Sequence, residues 1–317
     1  MHLSVEERRR AISRWLRTGF LPVARLAGGL ELKFNPYHDP RNGRFTFATG
    51  IGAGIEEHYG GQGPRLGRGG NSRAFEDPMT VEQAFPELHG PLWNGIQALA
   101  QSTLDIFGPA AEAQINILDN RSKEVLKEIK KLDPNFVYQQ IYSPQPSVEA
   151  SAARLDDLMM WRAATYLRKT GNIEPLKTAM MVRMQREIDQ AKREGDKLQK
   201  AGELKSHGVN DQMRLGNYVD RRVRGNIRGA LNWYGIKAAA RGRVRINRRL
   251  YIDGQGRSYG IPDVMVDDLI IEGSLQRKTM SAAQLRRFAK GLPKPRHIAV
   301  MTPSEAGSAH TYVYKIP

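Results

Sequence analysis

Two acids in the last third of the chain have the types and surroundings for metal-assisted phosphodiester hydrolysis. Asp263 follows Pro262 in a segment rich in β-forming residues, and Glu272 stands nine residues later in a second such segment. Adjacent paired strands would bring both carboxylates to one sheet edge. Two hard oxygen ligands there can hold Mg²⁺ and leave coordination positions for water and phosphate. Cleavage of a phosphodiester needs that arrangement, because the cation lowers the pKa of water and neutralises charge building on the phosphorus centre. A nearby lysine often assists. Two acids at this spacing in a hairpin also fit a solvent-facing pair.

Other motifs carry less. His38-Asp39 lies in a stretch where Pro36, Pro40 and Asn42-Gly43 force turns, so it reads better as a turn-stabilising pair than as a catalytic one. Gly67-Arg68-Gly69-Gly70 is followed by no Gly-Lys-Ser/Thr, which excludes a P-loop. The 317 residues include no Cys, which excludes thiol catalysis, disulfide frameworks and Cys-ligated zinc or iron–sulfur sites. Carboxylate-bound magnesium is left as the favoured metal chemistry.

The elements that must position the acids follow from periodicity and punctuation. Residues 218–234 predict a basic helix closed by Gly235. Residues 244–253 alternate with period two, placing Val244, Ile246, Leu250 and Ile252 on one face and Arg245, Arg249 and Tyr251 on the other. Asp253-Gly254 is a hairpin signal. A second strand is predicted over 258–266, a turn at Asp267-Asp268, and a third strand over 269–274. Ser281 with Gln284 three residues on predicts a capping box for the next helix, followed by strands over 297–301 and 311–316. Helix, three-strand meander, helix, strand, strand makes an α/β module over 207–317.

Upstream, residues 79–206 are helical in pattern and read as a spacer without chemistry of its own; Thr80 with Gln83 can cap one short helix, and residues 91–107 support another. Met180, Met184, Ile188 and Ala191 mark one side of a helix over 174–204 as core or helix-pairing surface. Asp189–Arg193 and Asp196–Lys200, at i,i+4, predict that this helix is exposed. Residues 51–78 are linker-like, and 1–50 hold a basic amphipathic helix over 4–20 plus the turn-rich stretch. The length fits two domains, and the class is α+β overall, with the N-terminal two-thirds mainly helical.

Charge singles out the same end of the chain. Lys and Arg number 49 against 33 Asp and Glu, a formal +16, of which residues 205–317 carry +13. Such a surplus calls for an anionic partner, with nucleic acid first and an anionic membrane surface second. Arg221, Arg222, Arg224 and Arg228 recur on the basic helix, and Arg245, Arg249 and Arg257 follow close behind. Together they predict a phosphate-binding surface with salt-sensitive, largely sequence-independent affinity. No run reaches the roughly 18 apolar residues of a membrane span. Glu6, Glu7, Arg8, Arg9 and Arg10 are followed by no apolar stretch, so a signal peptide is not expected.

Two resemblances sharpen this reading. Phe34-Asn35-Pro36-Tyr37-His38-Asp39-Pro40-Arg41-Asn42-Gly43-Arg44-Phe45 resembles the FNPxHDPxxGRF segment of proteins encoded by phages and prophages, often ahead of a variable C-terminal module. Ile261-Pro262-Asp263-Val264-Met265-Val266, Leu269-Ile270-Ile271-Glu272, Ser281 to Phe288 and His297 to Pro303 resemble, in that order, the PD-(D/E)xK restriction-endonuclease-like nucleases. The similarity is greatest to the nuclease domains of polymorphic toxins. It implies a module with a central mixed sheet, Asp263 and Glu272 as the Mg²⁺ (or Mn²⁺) carboxylates, and Gln284 at the head of the helix facing the site. The family's lysine falls two residues after the glutamate, where this chain has Ser274. Lys278, or else Gln276 or Arg277, is then the group to reach back from the following turn. Gly260 stands where the family has an arginine, with Arg257 the nearest substitute, and Asp220 is the nearest match to an acid on the first helix.

The expectation is thus a metal-dependent nuclease, DNA ahead of RNA as substrate, acting as a phage- or prophage-associated or secreted antibacterial effector. The resemblance implies synthesis in a bacterial cytoplasm, carriage by a phage particle or secretion machinery, and an acidic immunity protein as a neutralising partner. The alternatives are a non-catalytic nucleic-acid-binding component of a phage particle and a membrane-active protein led by the N-terminal helix.

Overall fold

The computed structural model describes residues 78–88, 93, 109–139, 147–204, 210–253, 255–304 and 311–317. The expected N-terminal basic helix, the phage-type segment, the linker-like stretch up to residue 77 and, apart from Trp93, the helix expected over 91–107 lie outside the described residues. A short strand β1 (Met79–Thr80) leads into α1 (Val81–Ala84), where Thr80 and Gln83 form the expected reciprocal capping box. After the 3₁₀ turn Pro86–Leu88 come four long helices: α2 (Pro109–Leu132), α3 (Val148–Thr170), α4 (Glu174–Lys200) and α5 (Asp211–Trp233). Ser147 caps α3 by accepting from the Ala150 N–H, and Gly171 ends it at φ 71°. Asn210 caps α5 by accepting from the Met213 N–H at 2.8 Å, so this helix begins well before the expected residue 218.

The C-terminal elements are β2 (Val244–Ile246), β3 (Leu250–Tyr251), β4 (Tyr259–Gly260), β5 (Val264–Val266), β6 (Leu269–Gly273), α6 (Ala283–Ala289), β7 (His297–Met301) and β8 (Thr311–Lys315). Six strands form a mixed sheet in the order β1-β8-β7-β6-β5-β2, with β6 and β7 parallel and every other pair antiparallel. The expected strand over 244–253 is broken at Asn247, whose φ of 49° turns the chain out of the sheet. The expected strand over 258–266 is broken around Pro262. The released halves, β3 and β4, pair as a separate two-stranded ribbon.

Alternation assigns the two faces of the sheet. Val264, Val266, Leu269, Ile271, Ala299, Met301 and Val313 pack in the cluster that contains the long helices. Met265, Ile270, Ile298, Val300 and Tyr312 pack with Leu285 and Phe288 of α6 on the other side. Helices and sheet therefore share one core, and β1 joins the sheet through Met79↔Val313, so residue 206 is no boundary of packing.

The helix α4 lies at the centre of that core, contrary to the exposure predicted from its i,i+4 pairs. Met180, Met184, Ile188 and Ala191 are buried, as their spacing suggested, and Met181 is buried beside them. Asp189 is also buried: it accepts from the Ser304 backbone N–H (2.7 Å), the Ser304 hydroxyl (2.9 Å) and Gln185. Asp196 pairs with Lys192 rather than Lys200. Apolar contact from three sides outweighs the small gain of exposed helical ion pairs.

A buried ionic network ties α3, α4 and α5 together. Arg183 on α4 meets Asp156 (3.2 Å) and Glu187 (3.5 Å) and donates to the Tyr234 hydroxyl (3.2 Å). Tyr234 in turn donates to Asp157 and packs edge-on against Trp161, and Asn226 on α5 donates to Glu187. Removing the guanidinium shared by Asp156 and Glu187 leaves buried negative charge poorly compensated. Arg183→Ala is expected to lose about 3–5 kcal/mol, read as a lower urea midpoint by circular dichroism.

Candidate active site

The site sits at the open end of the β5–β6 hairpin. Val264 pairs with Ile271, and one rung further the same register puts Asp263 opposite Glu272. The rung belongs to the middle of the sheet, since β6 lies between β5 and β7, and not to a sheet edge as the sequence suggested. Glu272 falls on the face covered by α6, where Gln284 reaches it, whereas the Asp263 carboxylate lies beside Gly273, where Ile188 of α4 also approaches. Asp263 is fixed through its backbone, whose carbonyl accepts from Asn247 at 2.9 Å, and through its side chain, whose Oδ2 accepts from the Gly273 N–H at 2.9 Å.

Around Glu272 three side chains close a triangle. Lys278 Nζ donates to Glu272 Oε1 (3.0 Å) and to Gln284 Oε1 (2.9 Å), and Gln284 Nε2 donates to the same Glu272 oxygen (2.7 Å). Strand β6 ends at Gly273, so Ser274 does not carry the cation. The chain loops back and delivers Lys278, the first of the three residues considered. Tyr312 holds that loop: its hydroxyl accepts from the Lys278 N–H at 2.7 Å and donates to the Lys278 carbonyl. Arg277 lies over the Tyr312 ring, and Gln276 is exposed.

The capping box predicted for Ser281 and Gln284 does not form. The cap of α6 is Ala282, without a side-chain bond, and Ser281 instead shares a hydrogen bond with Thr279. Gln284 is committed to the lysine and the glutamate, and a capping role would have turned it away from them.

Glu272 is 3% exposed, and its Oε2 has no hydrogen-bond partner among the described residues. Burial first, and the charge of Asp263 second, push its carboxyl up to about 8, with Lys278 opposing. Burial raises Asp263 as well, against the Gly273 N–H, Arg224 and Lys278. Arg224 on α5 lies within electrostatic reach of both acids. Burial pulls its guanidinium down while the two carboxylates oppose. Its salt bridge is to Asp220 one turn earlier, so the acid matched to the family's first helix is already engaged.

A divalent cation fits the donor chemistry here: two carboxylates, hard oxygens throughout, and one buried acceptor lacking a donor. Among the described residues no group of three or more His, Cys, Asp or Glu is placed to hold a metal ion. Among them, Asp263 and Glu272 would thus be the side-chain acids holding such an ion.

The predicted phosphate-binding arginines divide. Arg221, Arg228, Arg249 and Arg257 are exposed, and Arg245 is half-buried with its Nε donating to the Gly242 carbonyl. Arg222 is a correction: it is 6% exposed and pairs with Glu194 of α4 at 3.0 Å, because its side of α5 faces the helical core. Arg257 stands in the exposed turn of the ribbon, not in the strand leading to Asp263. Tyr312 and the Gly273 N–H were missed in the sequence. A tyrosine in a terminal strand signals only a face, and a backbone donor leaves no residue-type signal at all. Comparison of the chain with protein-family models, with curated proteins and with solved structures found no match.

The raised carboxyl of Glu272 has a thermodynamic consequence. A folded-state pKa above the unfolded one contributes stability that is complete below the ordinary carboxylate range and is lost as pH climbs through about 8. Glu272→Gln keeps an acceptor for Lys278 and Gln284 but cannot ionise. In metal-free buffer its melting temperature is expected to exceed the parent's by a margin that grows from pH 5 to about pH 9, followed by differential scanning fluorimetry.

Proposed function

We propose that this chain is a metal-dependent nuclease of the PD-(D/E)xK type, cutting DNA in preference to RNA and serving as a phage- or prophage-associated or secreted antibacterial effector. The observation that carries the reading is the closed Lys278–Glu272–Gln284 triangle beside Asp263. The element order adds support. A helix (α5), a strand pair bearing the two acids (β5, β6), a helix bearing Gln284 (α6) and a strand ending at Met301-Thr302-Pro303 follow the order of pieces in the resemblance.

Asp263 and Glu272 would hold Mg²⁺ or Mn²⁺, which when bound supplies an acidified water and neutralises charge on the phosphate under attack. The chain's own groups do the rest. The Gly273 N–H and the Asn247–Asp263 backbone bond keep the first carboxylate in place. Gln284 and Lys278 keep the second from rotating. A lysine ammonium has three donors; two are used on Glu272 and Gln284, and the partly exposed side chain keeps a third for a phosphate oxygen or water. Arg224 adds a cation within electrostatic reach of both acids.

Ser274 and the two-acid donor set favour a second reading, in which the module binds nucleic acid without cutting it. Among the described residues no helix is long and apolar enough to cross a membrane. The carriage by a particle or secretion system and the acidic immunity partner belong to the main reading and rest on the resemblances.

Plasmid DNA incubated with the chain and Mg²⁺ is expected to be nicked and linearised, and EDTA to stop the reaction. Asp263→Asn and Glu272→Gln should each abolish cutting, and Lys278→Met should slow it by about 10²–10³-fold while DNA retention persists. Plasmid and RNA left intact across several metals, with DNA still retained, would establish the second reading.

A further inference from the structure

The ribbon of β3 and β4 is built into the site. It leaves the sheet immediately after Asn247, whose N–H is bonded to the Asp263 carbonyl, and it returns through Ile261-Pro262 to Asp263 itself. One face anchors it. Leu250 is buried against Gly291, where an added Cβ would lie 2.3 Å from its side chain, and Gly260 lies under Phe288 of α6 at 2.7 Å by the same measure. The Tyr251 carbonyl further accepts from the Leu292 N–H at 2.7 Å.

The other face turns outward with different chemistry. Tyr251 and Tyr259 are cross-strand partners with rings at 6.3 Å, and the Arg249 guanidinium lies 4.5 Å over the Tyr259 ring. Tyr251 is 41% exposed although it is large and aromatic, and Arg248, Arg249 and Arg257 are exposed as well. The turn is ordered by Asp253, which accepts from the Arg257 and Ser258 N–H groups at 3.0 Å each. It is an anchored finger with an aromatic and cationic face.

Cations connect the finger to the acids. Arg224 and Arg228 stand one turn apart on α5, a rise of about 6 Å, and Arg228 has Arg224 and Arg248 as its charged neighbours. Burial and those two like charges together push the Arg228 guanidinium down. Arg224 has Asp220 and the two site acids beside it, but Arg228 lies between the like charges of Arg224 and Arg248, and an anion along that stretch relieves their repulsion.

We propose that the β3–β4 ribbon is the element that recognises duplex DNA, its Arg249–Tyr259–Tyr251 face entering the major groove while Arg224, Arg228 and Arg248 hold phosphates of the strand that reaches Asp263 and Glu272. The reaching of that strand to the acids rests on the nuclease reading; the engagement of the duplex does not. The major groove of B-form DNA admits a two-stranded ribbon, whereas the deep, narrow major groove of an RNA duplex does not. The substrate class is therefore double-stranded DNA.

The test uses the full chain carrying Glu272→Gln in EDTA, so that nothing is cut, with fluorescence anisotropy on a labelled DNA duplex, an RNA duplex of the same sequence, and single-stranded DNA. The DNA duplex is expected to bind tightest, by about tenfold or more. Arg248→Ala/Arg249→Ala should remove about that factor and lower the salt slope by about one for each phosphate no longer held. Tyr251→Ser, which changes no charge, should weaken duplex binding at an unchanged salt slope. Methyl green, a major-groove ligand, should compete, and netropsin, a minor-groove ligand, should not. Ribbon variants that bind like their parent while melting at the same temperature would overturn the proposal. So would RNA or single strands that bind as tightly as the DNA duplex. Cutting of plasmid by the chain with native Glu272 is scored separately. Cutting together with ribbon-independent binding sinks the ribbon alone, and ribbon-dependent binding without cutting sinks hydrolysis alone.

Discussion

The clamped turn at Asp267-Asp268 sets the register on which the site depends. Asp267 adopts φ 55°, a conformation that aspartate tolerates better than most side chains. Arg243 grips its carboxylate with two nitrogens at 3.1 and 3.3 Å, and the Asp267 N–H donates to the Arg243 carbonyl. Lys177 of α4 and Arg296, just ahead of β7, both pair with Asp268. Three separate elements thus fix a two-residue turn. A slip of one residue in the hairpin would send every side chain to the other face, carrying Glu272 away from α6 and Asp263 away from Glu272. The clamp lies at the far end of the hairpin from the acids and works only through the strands.

Desolvation is the second constraint. Glu272 stands in a strand whose other side chains are apolar, so it is placed among Leu, Ile and Tyr and bonded to one cation and one amide, with no partner for its second oxygen among the described residues. Such a carboxylate is costly in the folded chain and suits a group that binds charge. The surplus of basic residues is likewise not one undifferentiated surface. Arg222, Arg243, Arg296 and Lys278 are matched to Glu194, Asp267, Asp268 and Glu272. Arg221 and Arg228 are exposed on the outer side of α5, and Arg248 and Arg257 are exposed along the ribbon.

Much of the C-terminal third was legible because its signals are local. Alternation marked β6 and β7 to within a residue, and far upstream the capping pair Thr80–Gln83 marked α1 just as locally. The failures share one cause. Asn247 and Pro262 break strands that alternation alone runs straight through, and the ribbon they release decides where the exposed arginines stand. The i,i+4 acids and bases of α4 predicted a solvated face, yet a helix surrounded by α3, α5 and the sheet must find internal partners for them. The Ser281–Gln284 capping pair was a sound local pattern that lost to a stronger demand, the charged pair at Lys278 and Glu272.

By itself the sequence determined which residues have the chemistry: two hard carboxylates, a lysine offset from its expected place, and a basic surplus concentrated in 205–317. Residue type and spacing are properties of the chain, and they survive any fold. Tertiary structure decided which of those groups meet. It put Asp263 opposite Glu272 through a register set at the other end of the hairpin. It chose Lys278 over Arg277 and Gln276 through a tyrosine thirty-four residues away. It turned Arg222 inward and Arg228 outward on one helix. Those choices depend on burial and on contacts between distant segments, energies that no local stretch of sequence contains.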